Sequence, residues 1–411
     1  MPRYRKRLID PLIEDLLAEL PALLLVGPRA TGKTTTATRH AKTIVRLDQE
    51  AQAAAFRADP DSALSGLEEP VLLDEWQAVP GVLGAIKRAV DEDPRPGRYL
   101  ITGSVRAELG SDTWPGTGRA VRLAMYGMTV REQQGQLDKR PFLDQIAAGQ
   151  TPVLPASAPD LRAYIALALR GGFPQVALGR SETARHHWLD SYVEQILTRD
   201  TKQLGQVRDP ERLRRYFEAY APNSAGVPSD KTLYEAAGVN RKTAETYERL
   251  LGNLLVVENV PAWTSNRIKR LIRAPKRYVV DPALLAVALR LDVDGVLRDG
   301  DLLGRLLDTF VLAELRAELV VCATKPRLFH LRLEQGRHEL DLVAELGGGR
   351  IIGMEIKASA SVGPEDAKHL AWLREATGDR FCAGVVFHTG PGIYSVGDRL
   401  LAVPICALWG R

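Results

Sequence analysis

The sequence has few cysteines, no long apolar run and little net charge. Its cysteines, Cys322, Cys382 and Cys406, lie far apart and form no CxxC pair, which argues against both a zinc site and a disulfide framework. No apolar run approaches the length of a membrane span. Glu14 and Asp15 interrupt the chain after its basic N-terminus before the apolar core of a signal peptide could form. We therefore expect a cytoplasmic protein without a membrane-spanning segment.

The overall composition is that of a folded protein with several domains. The 411 residues are 45% hydrophobic and 26% charged, which excludes global disorder. This length provides enough material for two to four domains, each with its own core. The net charge of +4 is weak evidence for a polyanionic partner, so the position of the positive charges matters more than their sum.

A phosphate-binding loop follows the first apolar run. Residues 27–34 read GPRATGKT and match GxxxxGK[ST]. The run 22–26 before the loop is short and wholly apolar, which predicts a buried strand. Residues 34–42 after it lack Pro and Gly and can form a helix. A Gly-rich turn between strand and helix lets backbone N–H groups surround a phosphate at a helix N-terminus. The predicted ATP-binding residues are Gly27, Pro28, Arg29, Ala30, Thr31, Gly32, Lys33, Thr34 and Thr35.

Chemical roles follow from the residue types in this motif. Lys33 is expected to reach the β- and γ-phosphates and to act in catalysis, and the Thr34 hydroxyl is expected to hold Mg²⁺. A second apolar run, 71–73, ends in Asp74 and Glu75. At the carboxyl end of a strand near the phosphates, Asp74 would bind the metal and Glu75 would polarise the attacking water. The sequence thus predicts an ATPase that uses ATP and Mg²⁺.

Four segments together resemble a known family. GPRATGKT, LLDEWQAVPGVL, YLITGS and GRAVRL are similar to those of a widespread bacterial and archaeal family of AAA+-like P-loop ATPases. In that family the C-terminal partner is a domain of unknown function with a restriction-endonuclease-like, PD-(D/E)XK core. Gly-Gly-Phe-Pro at 171–174 and the closing segment 403–409 extend the resemblance. Ala30 departs from the family, which usually has Gln at this loop position.

Two further residues are catalytic candidates. In AAA+-like ATPases a polar residue at the end of the strand corresponding to 98–104 contacts the γ-phosphate or the attacking water, and Ser104 holds that position. A helix N-cap is the alternative role for Ser104. Arg119, in the Gly-rich turn before the apolar stretch 120–125, could neutralise transition-state charge in its own chain or in a neighbouring subunit. Its alternative is a surface arginine.

The middle of the chain predicts helices followed by a winged helix. Prolines and Gly149 between 136 and 160 mark a boundary, and helical periodicity covers 161–169, 181–202 and 211–221. Helices at 229–237 and 241–251, then strands at 254–260 and 277–280, follow the order of a winged helix. Residues 241–277 contain nine Lys or Arg and three Glu, a local net of +6. Predicted nucleic-acid contacts are Arg241, Lys242, Arg267, Lys269 and Arg270, although winged helices also serve as protein-binding modules.

The C-terminal region predicts a nuclease-like α/β domain. A helix at 305–319 precedes strands at 327–333, 338–345 and 350–356, a helix near 364–376, and strands at 381–388 and 400–408. Asp341 on one strand and Glu355 with Lys357 on the next resemble the D…ExK pattern of PD-(D/E)XK nucleases, in which two carboxylates hold Mg²⁺ beside a lysine. Asp308 stands where the family usually has Glu. The alternative interpretation is a salt-bridged remnant in a binding module.

The expected architecture is a multidomain α/β protein. It comprises a three-layer P-loop domain at 1–135, a helical connector at 136–222, a winged helix at 223–290 and a restriction-endonuclease-like domain at 295–411. Our main hypothesis is an ATP-driven switch coupled to nucleic-acid binding, with double-stranded DNA as the possible partner. The alternatives are an ATP-gated, metal-dependent nuclease and a protein-directed module without DNA contact. Oligomerisation is left open.

Overall fold

The computed structural model describes residues 4–104, 118–200, 209–265, 273–333 and 337–410. The chain divides into two compact units. The first unit holds residues 1–127 with 252–255, and the second holds 128–251 with 256–411. The predicted boundaries near 135, 222 and 290 stay predictions. Within the described residues, no helix is both long and apolar enough to cross a lipid bilayer.

The first unit is built on a parallel sheet. Its described strands are Ala22–Val26 (β1), Thr43–Arg46 (β2), Val71–Asp74 (β3), Tyr99–Gly103 (β4) and Val121–Ala124 (β5). They lie in the order β2-β3-β4-β1-β5, and every pairing is parallel. The residues of β1, β3 and β4 are all buried, as apolar runs in the centre of a parallel sheet require. Consequently the phosphate loop after β1 and the carboxylates after β3 lie at the same edge.

Helices pack against the sheet of this unit. The helix that follows the phosphate loop ends at Ala37, not at Lys42 as the sequence predicted. Its threonines explain the early end, because β-branched residues lose side-chain freedom in a helix and Thr38 Oγ1 donates back to the Thr34 carbonyl. The described helices of this unit are Asp10–Glu19 (α1), Lys33–Ala37 (α2), Glu50–Ala58 (α3), Pro60–Leu64 (α4) and Val82–Glu92 (α5).

The second unit contains a mixed sheet and a separate hairpin. The hairpin strands Val257–Val260 (β6) and Lys276–Val279 (β7) pair antiparallel. The described strands of the larger sheet lie in the order β12-β13-β11-β10-β9-β8. They are Arg327–Leu333 (β8), His338–Glu345 (β9), Ile351–Ile356 (β10), Phe381–His388 (β11), Tyr394–Gly397 (β12) and Leu400–Pro404 (β13).

Two predicted strands of this unit are shorter than expected, and β12 was not predicted. The last strand ends at Pro404, which has no N–H for a strand ladder, and residues 405–408 form a 3₁₀ turn. β6 begins at Val257, not at residue 254, because Leu255 adopts a left-handed φ of 55° in the preceding turn. The predicted strand at 277–280 is shifted by one residue to 276–279.

Helices contact the hairpin and both faces of the larger sheet. The segment 136–160, predicted as a boundary or loop, contains a helix that starts directly after Pro141, a position that tolerates proline. The helix predicted over 181–202 passes into a π-helical turn at Ile196–Asp200. The described helices are Val130–Gln134 (α6), Phe142–Ala147 (α7), Leu161–Arg170 (α8), Pro174–Ala177 (α9), Glu182–Gln195 (α10), Pro210–Tyr220 (α11), Asp230–Ala236 (α12), Arg241–Asn253 (α13), Pro282–Leu289 (α14), Val293–Leu297 (α15), Gly300–Glu318 (α16) and Lys368–Thr377 (α17).

Candidate functional site

The phosphate loop has a backbone shape that depends on its two glycines. A Cβ atom on Gly27 would lie 1.8 Å from the carbonyl oxygen of Met125, so only glycine fits against that backbone. Gly32 has φ of 95°, a left-handed value that favours glycine. Lys33 follows as the first residue of α2, where backbone N–H groups have no partner inside the helix. The local geometry is therefore that of an anion-binding turn.

Lys33 lies beneath this turn and is almost fully buried, with 4% of its surface exposed. Its ammonium donates to the carbonyls of Gly27 and Pro28 at 2.9 and 2.8 Å. Burial lowers the pKa of Lys33 to about 8, against the opposing effect of the nearby Glu75 and Asp74 carboxylates. The side chain is thus held inside the loop and stays mostly charged near neutral pH.

The loop and the end of β3 meet at Asp74. Thr34 Oγ1 donates to Asp74 Oδ1 at 2.7 Å, and Thr102 Oγ1 donates to the same oxygen at 2.5 Å. Asp74 is buried, with 3% of its surface exposed. A hydroxyl and a carboxylate oxygen are the ligand types that Mg²⁺ prefers. The two residues predicted to hold Mg²⁺ are therefore in contact, and their chemistry fits the ion.

Glu75 adopts an unusual backbone conformation next to Asp74. Its φ and ψ are 56° and 51°, in the left-handed region, which turns the chain sharply at the end of β3. Its Oε2 accepts a bond from Gln77 Nε2 and one from Ser104 Oγ at 3.3 Å. Ser104 is buried. The structure therefore brings Ser104 to Glu75; its alternative role as a helix cap concerns residues 105–117, which lie outside the described part of the chain.

Arg119 is not brought to this edge of the sheet. It lies two residues before the start of β5, and β5 runs parallel to β1 with Val121 opposite Leu23. Arg119 is therefore near the amino ends of the strands, whereas Gly27 follows their carboxyl ends. Its Nε pairs with Asp91 at 2.7 Å at the protein surface. This placement does not support an arginine finger in the same chain, and action in a neighbouring subunit stays a prediction.

Two aspartates of the second unit, Asp308 and Asp341, bind a lysine of β7. Lys276 Nζ donates to Asp308 Oδ2 at 2.5 Å and to Asp341 Oδ1 at 2.9 Å. Tyr278, two residues along the same strand, donates from its hydroxyl to Asp308 Oδ1 at 3.0 Å. Lys276 is 5% exposed, so its charge is balanced by these carboxylates and not by water. We call this arrangement of Lys276, Asp308 and Asp341 the lysine-bridged centre.

Titration properties in the lysine-bridged centre follow from burial and charge. Burial by itself lowers the pKa of Lys276, but the carboxylates of Asp308 and Asp341 raise it well above its usual range. Burial raises the pKa of Asp308. The pKa of Asp341 is lowered, because the Lys276 ammonium and the Ile356 N–H outweigh the effect of burial. The centre therefore holds one firmly charged ammonium between two carboxyl groups of unequal acidity.

Glu355 and Lys357 border the same centre. Lys357 Nζ lies 3.5 Å from Glu355 Oε2. Burial raises the pKa of Glu355 well above its usual value, and Asp341 adds to the effect. A cavity of about 560 Å³ opens onto these residues and Asp308. All four predicted nuclease-like residues are thus close together.

A lysine lies between two of these four residues. Within the described residues, no group of three or more His, Cys, Asp or Glu side chains is placed to hold a metal ion. The Lys276 ammonium lies between Asp308 and Asp341, and Asp308 also accepts a hydrogen bond from Tyr278. The metal site expected at Asp341 and Glu355 stays a prediction.

The basic cluster of 241–277 is less available than its sequence suggests. Lys276 belongs to the lysine-bridged centre, and Arg277 is 5% exposed and paired with two carboxylates. Arg241 and Lys242 are exposed at the start of α13, where Arg241 Nε pairs with Glu245 Oε1 at 2.8 Å. The predicted contacts Arg267, Lys269 and Arg270 lie outside the described residues. The elements around them follow the predicted order, and the winged helix stays a prediction.

Two residues of these sites were missed by sequence reasoning. Thr102 was missed although a signal was present, since it lies two residues before Ser104 in a strand and therefore shares its face. Lys276 was counted only as one charge of a basic loop. Its partners lie 32 and 65 residues away in sequence, and no local pattern connects them.

Three family profiles match the chain. The profile of an AAA domain matches residues 19–134, which include the phosphate loop, Asp74 and Glu75. Two profiles described as domains of unknown function, DUF8612 and DUF4143, match residues 161–295 and 303–408. The first match identifies the N-terminal region as P-loop ATPase-like and supports ATP binding. The other two assign no activity, and none of the matches identifies a nuclease core.

Two curated proteins align with nearly the whole chain. They are the uncharacterized protein Mb2031c of Mycobacterium bovis and the uncharacterized protein Rv2008c of Mycobacterium tuberculosis. Each is 32% identical over 393 residues, covering 94% of this chain and 81% of the relative.

Two solved structures are distantly similar to the chain. The Walker-type ATPase PABY2304 of Pyrococcus abyssi is 13% identical, with a TM-score of 0.44 over 71% of this chain and 99% of its own. The ORC1 protein of Aeropyrum pernix, solved in complex with DNA, is 14% identical, with a TM-score of 0.30 over 70% of this chain and 92% of its own. Similarity at this level assigns neither activity nor partner.

Proposed function

The chain belongs to the family of the mycobacterial proteins Mb2031c and Rv2008c, and on this premise we propose that it is a Mg²⁺-dependent ATPase that acts as a nucleotide-driven switch. The observation that carries the proposal is the 2.7 Å hydrogen bond between Thr34 of the phosphate loop and Asp74 of β3. It joins two segments 40 residues apart into one site. The AAA-domain match spans both segments and supports ATP as the nucleotide.

Nucleotide binding is assigned to the loop backbone and to Lys33. The phosphate oxygens of ATP are charged acceptors, and a charge-assisted hydrogen bond is about twice as strong as a neutral one. The Lys33 ammonium therefore exchanges its bonds to the Gly27 and Pro28 carbonyls for bonds to phosphate. Thr34 and Asp74 would hold Mg²⁺, which would neutralise negative charge on the phosphates of ATP.

Hydrolysis is assigned to Glu75. Its carboxylate lies next to the metal-binding residues and is held by hydrogen bonds from Gln77 and Ser104. In this role Glu75 orients the attacking water and accepts its proton. Gln77 and Ser104 restrict the carboxylate to one orientation, so they position the base and do not themselves take the proton.

The test is ATP binding and steady-state ATP hydrolysis by the purified full chain and its variants. Lys33→Ala is expected to weaken ATP binding. Glu75→Gln is expected to bind ATP as the wild type does but to lose about 10²–10⁴-fold in kcat, the range for a missing general base. Glu19→Gln, an exposed glutamate of α1, is the matched control and is expected to behave as the wild type. Normal turnover by Glu75→Gln would show that Glu75 is not the base.

The proposed switch couples ATP to the binding of nucleic acid. It is supported by Arg241 and Lys242, which are exposed at the amino end of α13. An exposed ion pair contributes little, so the pairing of Arg241 with Glu245 does not prevent a phosphate contact. The test is binding of double-stranded DNA at low salt, where phosphate contacts are strongest, with and without ATP, by the wild type and by Arg241→Glu/Lys242→Glu.

The outcomes of that test separate the remaining alternatives. ATP-dependent DNA binding that is lost in the double variant supports the coupled switch. Absence of binding at low salt favours a protein-directed module with the same ATPase. We do not propose an ATP-gated nuclease, because the Lys276 ammonium lies between two of the carboxylates that such an enzyme needs.

A further inference from the structure

Arg7, which lies before α1, contacts the phosphate loop although it is distant in sequence. Its Nη1 donates to the carbonyl oxygen of Thr31 at 2.8 Å, and its Nη2 donates to the carbonyl oxygen of Tyr126 at 2.8 Å. Arg7 is 5% exposed, and Thr31 is fully buried. One guanidinium therefore links the loop to the segment after β5, the same segment against which Gly27 packs.

The Thr31 carbonyl matters because of the peptide bond it belongs to. In a trans peptide the C=O and the following N–H point in opposite directions. When Arg7 holds the carbonyl of Thr31 on one side, the N–H of Gly32 is turned to the other side. Gly32 directly precedes Lys33, so its N–H belongs to the set of donors at the start of α2 that receive a phosphate.

We propose that Arg7 is a positioning residue of the phosphate loop, which fixes the Thr31–Gly32 peptide so that the Gly32 N–H faces the phosphate. The inference rests on the proposed ATP binding and adds a residue that lies outside the loop motif. Arg7 does not touch the nucleotide in this role. It acts through the orientation of one backbone donor.

The segment that carries Arg7 is itself held in place. The Arg7 N–H donates to Asp10 Oδ2 at 2.7 Å, and the Tyr4 hydroxyl donates to both oxygens of the same carboxylate at 2.9 Å. The Tyr4 oxygen also lies 3.0 Å from Thr36 Oγ1 in α2. Residues 4–10 therefore contact the loop through Arg7 and its helix through Tyr4, so the arginine is oriented before any ligand binds.

A purely structural role for Arg7 would affect stability without a specific effect on phosphate binding. Arg98 provides the matched comparison within the same unit. It is 9% exposed, and its Nη1 donates to two backbone carbonyls, those of Ala89 and Asp93, at 2.6 Å each. Arg98 directly precedes β4, near the amino ends of the strands and away from the phosphate loop.

The experiment compares Arg7→Met, Arg7→Lys and Arg98→Met in the full chain. The dissociation constant for Mg-ATP is measured by calorimetric titration, at a temperature where circular dichroism shows each variant folded. Arg7→Met is expected to bind ATP about tenfold to a hundredfold more weakly, the size of one or two lost hydrogen bonds to a charged group. Arg7→Lys, whose ammonium cannot form the guanidinium fork, is expected to fall between Arg7→Met and the wild type. Arg98→Met is expected to lose stability and to keep the wild-type dissociation constant.

A rescue measurement tests the role independently of stability. In Arg7→Ala, added ethylguanidinium is expected to restore ATP affinity, because it replaces the missing donors at the two carbonyls. The same compound is expected to leave the affinity of Arg98→Ala unchanged. If the alanine variant does not fold, the comparison of Arg7→Met, Arg7→Lys and Arg98→Met decides whether Arg7 positions the phosphate loop.

These measurements distinguish a failure of the proposed ATP binding from a failure of the proposed role of Arg7. A wild-type chain that does not bind Mg-ATP overturns the proposed function and this inference with it. A wild-type chain that binds Mg-ATP, with Arg7→Met and Arg7→Lys within twofold of it, overturns the role of Arg7 alone. Equal weakening by Arg7→Met and Arg98→Met also overturns it, because the effect would then follow general stability.

Discussion

The lysine-bridged centre predicts a large loss of stability when its ammonium is removed. Lys276→Met keeps the length and apolar character of the side chain but deletes the charge that binds Asp308 and Asp341 at 2.5 and 2.9 Å. Both carboxylates then lose their buried cationic partner. Removing one member of a buried ion pair costs about 3–5 kcal/mol, because the remaining charge stays buried without compensation.

The expected loss also depends on pH in a defined direction. Burial already raises the pKa of Asp308, and loss of the ammonium raises the pKa of both carboxyl groups further. A carboxyl that takes up a proton no longer bears an uncompensated charge. The deficit of Lys276→Met relative to the wild type is therefore expected to be smaller at pH 5 than at pH 8.

Calorimetric melting and urea unfolding measure this deficit. A loss of about 3–5 kcal/mol lowers the melting temperature of a unit of this size on the order of 10 °C. Lys242→Met removes an exposed lysine from α13 and is the matched control, expected to stay within about 0.5 kcal/mol of the wild type. Adding Asp308→Asn to Lys276→Met is expected to recover part of the loss, since one of the two uncompensated carboxylates is gone.

A Lys276→Met variant with wild-type stability at pH 8 would refute this reasoning, because it would mean that the ammonium and the carboxylates are not mutually dependent. A deficit that the added Asp308→Asn change deepens would also contradict it. In that case the lost interaction would reside in the Asp308 carboxylate and its bond from Tyr278, and not in its charge.

Two further predictions concern the phosphate loop and a buried carboxyl. Gly27→Ala is expected to abolish ATP binding, because its Cβ would lie 1.8 Å from the backbone oxygen of Met125; titration with Mg-ATP tests this, and Gly81→Ala, which meets no atom within 4 Å, is the control expected to bind normally. Asp281 accepts a hydrogen bond from the Gly172 N–H at 2.8 Å, and burial raises its pKa to about 6. The folded state therefore binds the proton of the Asp281 carboxyl more tightly than the unfolded state does. The resulting contribution to the free energy of unfolding is on the order of 3 kcal/mol; it is present below about pH 4 and is lost as the pH rises through 6. Urea unfolding between pH 4 and 7 is expected to show this slope in the wild type relative to Asp281→Asn; equal slopes in both proteins would contradict the assignment.

The core of the first unit could be predicted from sequence because its signals are local. Short apolar runs at 22–26 and 71–73 correspond to buried strands, and the AAA-domain match over 19–134 confirms the P-loop ATPase type. The end of α2 was wrong because the absence of Pro and Gly was taken as sufficient for a helix. The threonines at 34–36 and 38 have alternatives to helical hydrogen bonding, and that competition is decided by the packing around them.

The charges of the second unit could not be predicted in the same way. Lys276 and Arg277 stand in a basic stretch, and the sequence analysis counted both of them in its local net charge of +6. In the fold, each is buried beside carboxylates from other elements. Ion pairing between distant residues depends on tertiary structure, so a count of charges along the chain overestimates the positive surface. The grouping of Asp341, Glu355 and Lys357 was found from their spacing, but the lysine that bridges the centre was not.

The left-handed backbone of Glu75 implies a conflict between thermal robustness and turnover. A non-glycine residue in this conformation costs about 1–2 kcal/mol, and glycine relieves it while adding about 0.5–1 kcal/mol of unfolded-chain entropy. Glu75→Gly is therefore expected to have a melting temperature at least as high as that of the wild type and to lose ATP hydrolysis. A selection for thermostable variants that omits an activity assay would accept this substitution, so the proposed catalytic base occupies a position where natural function and maximal stability demand different residues.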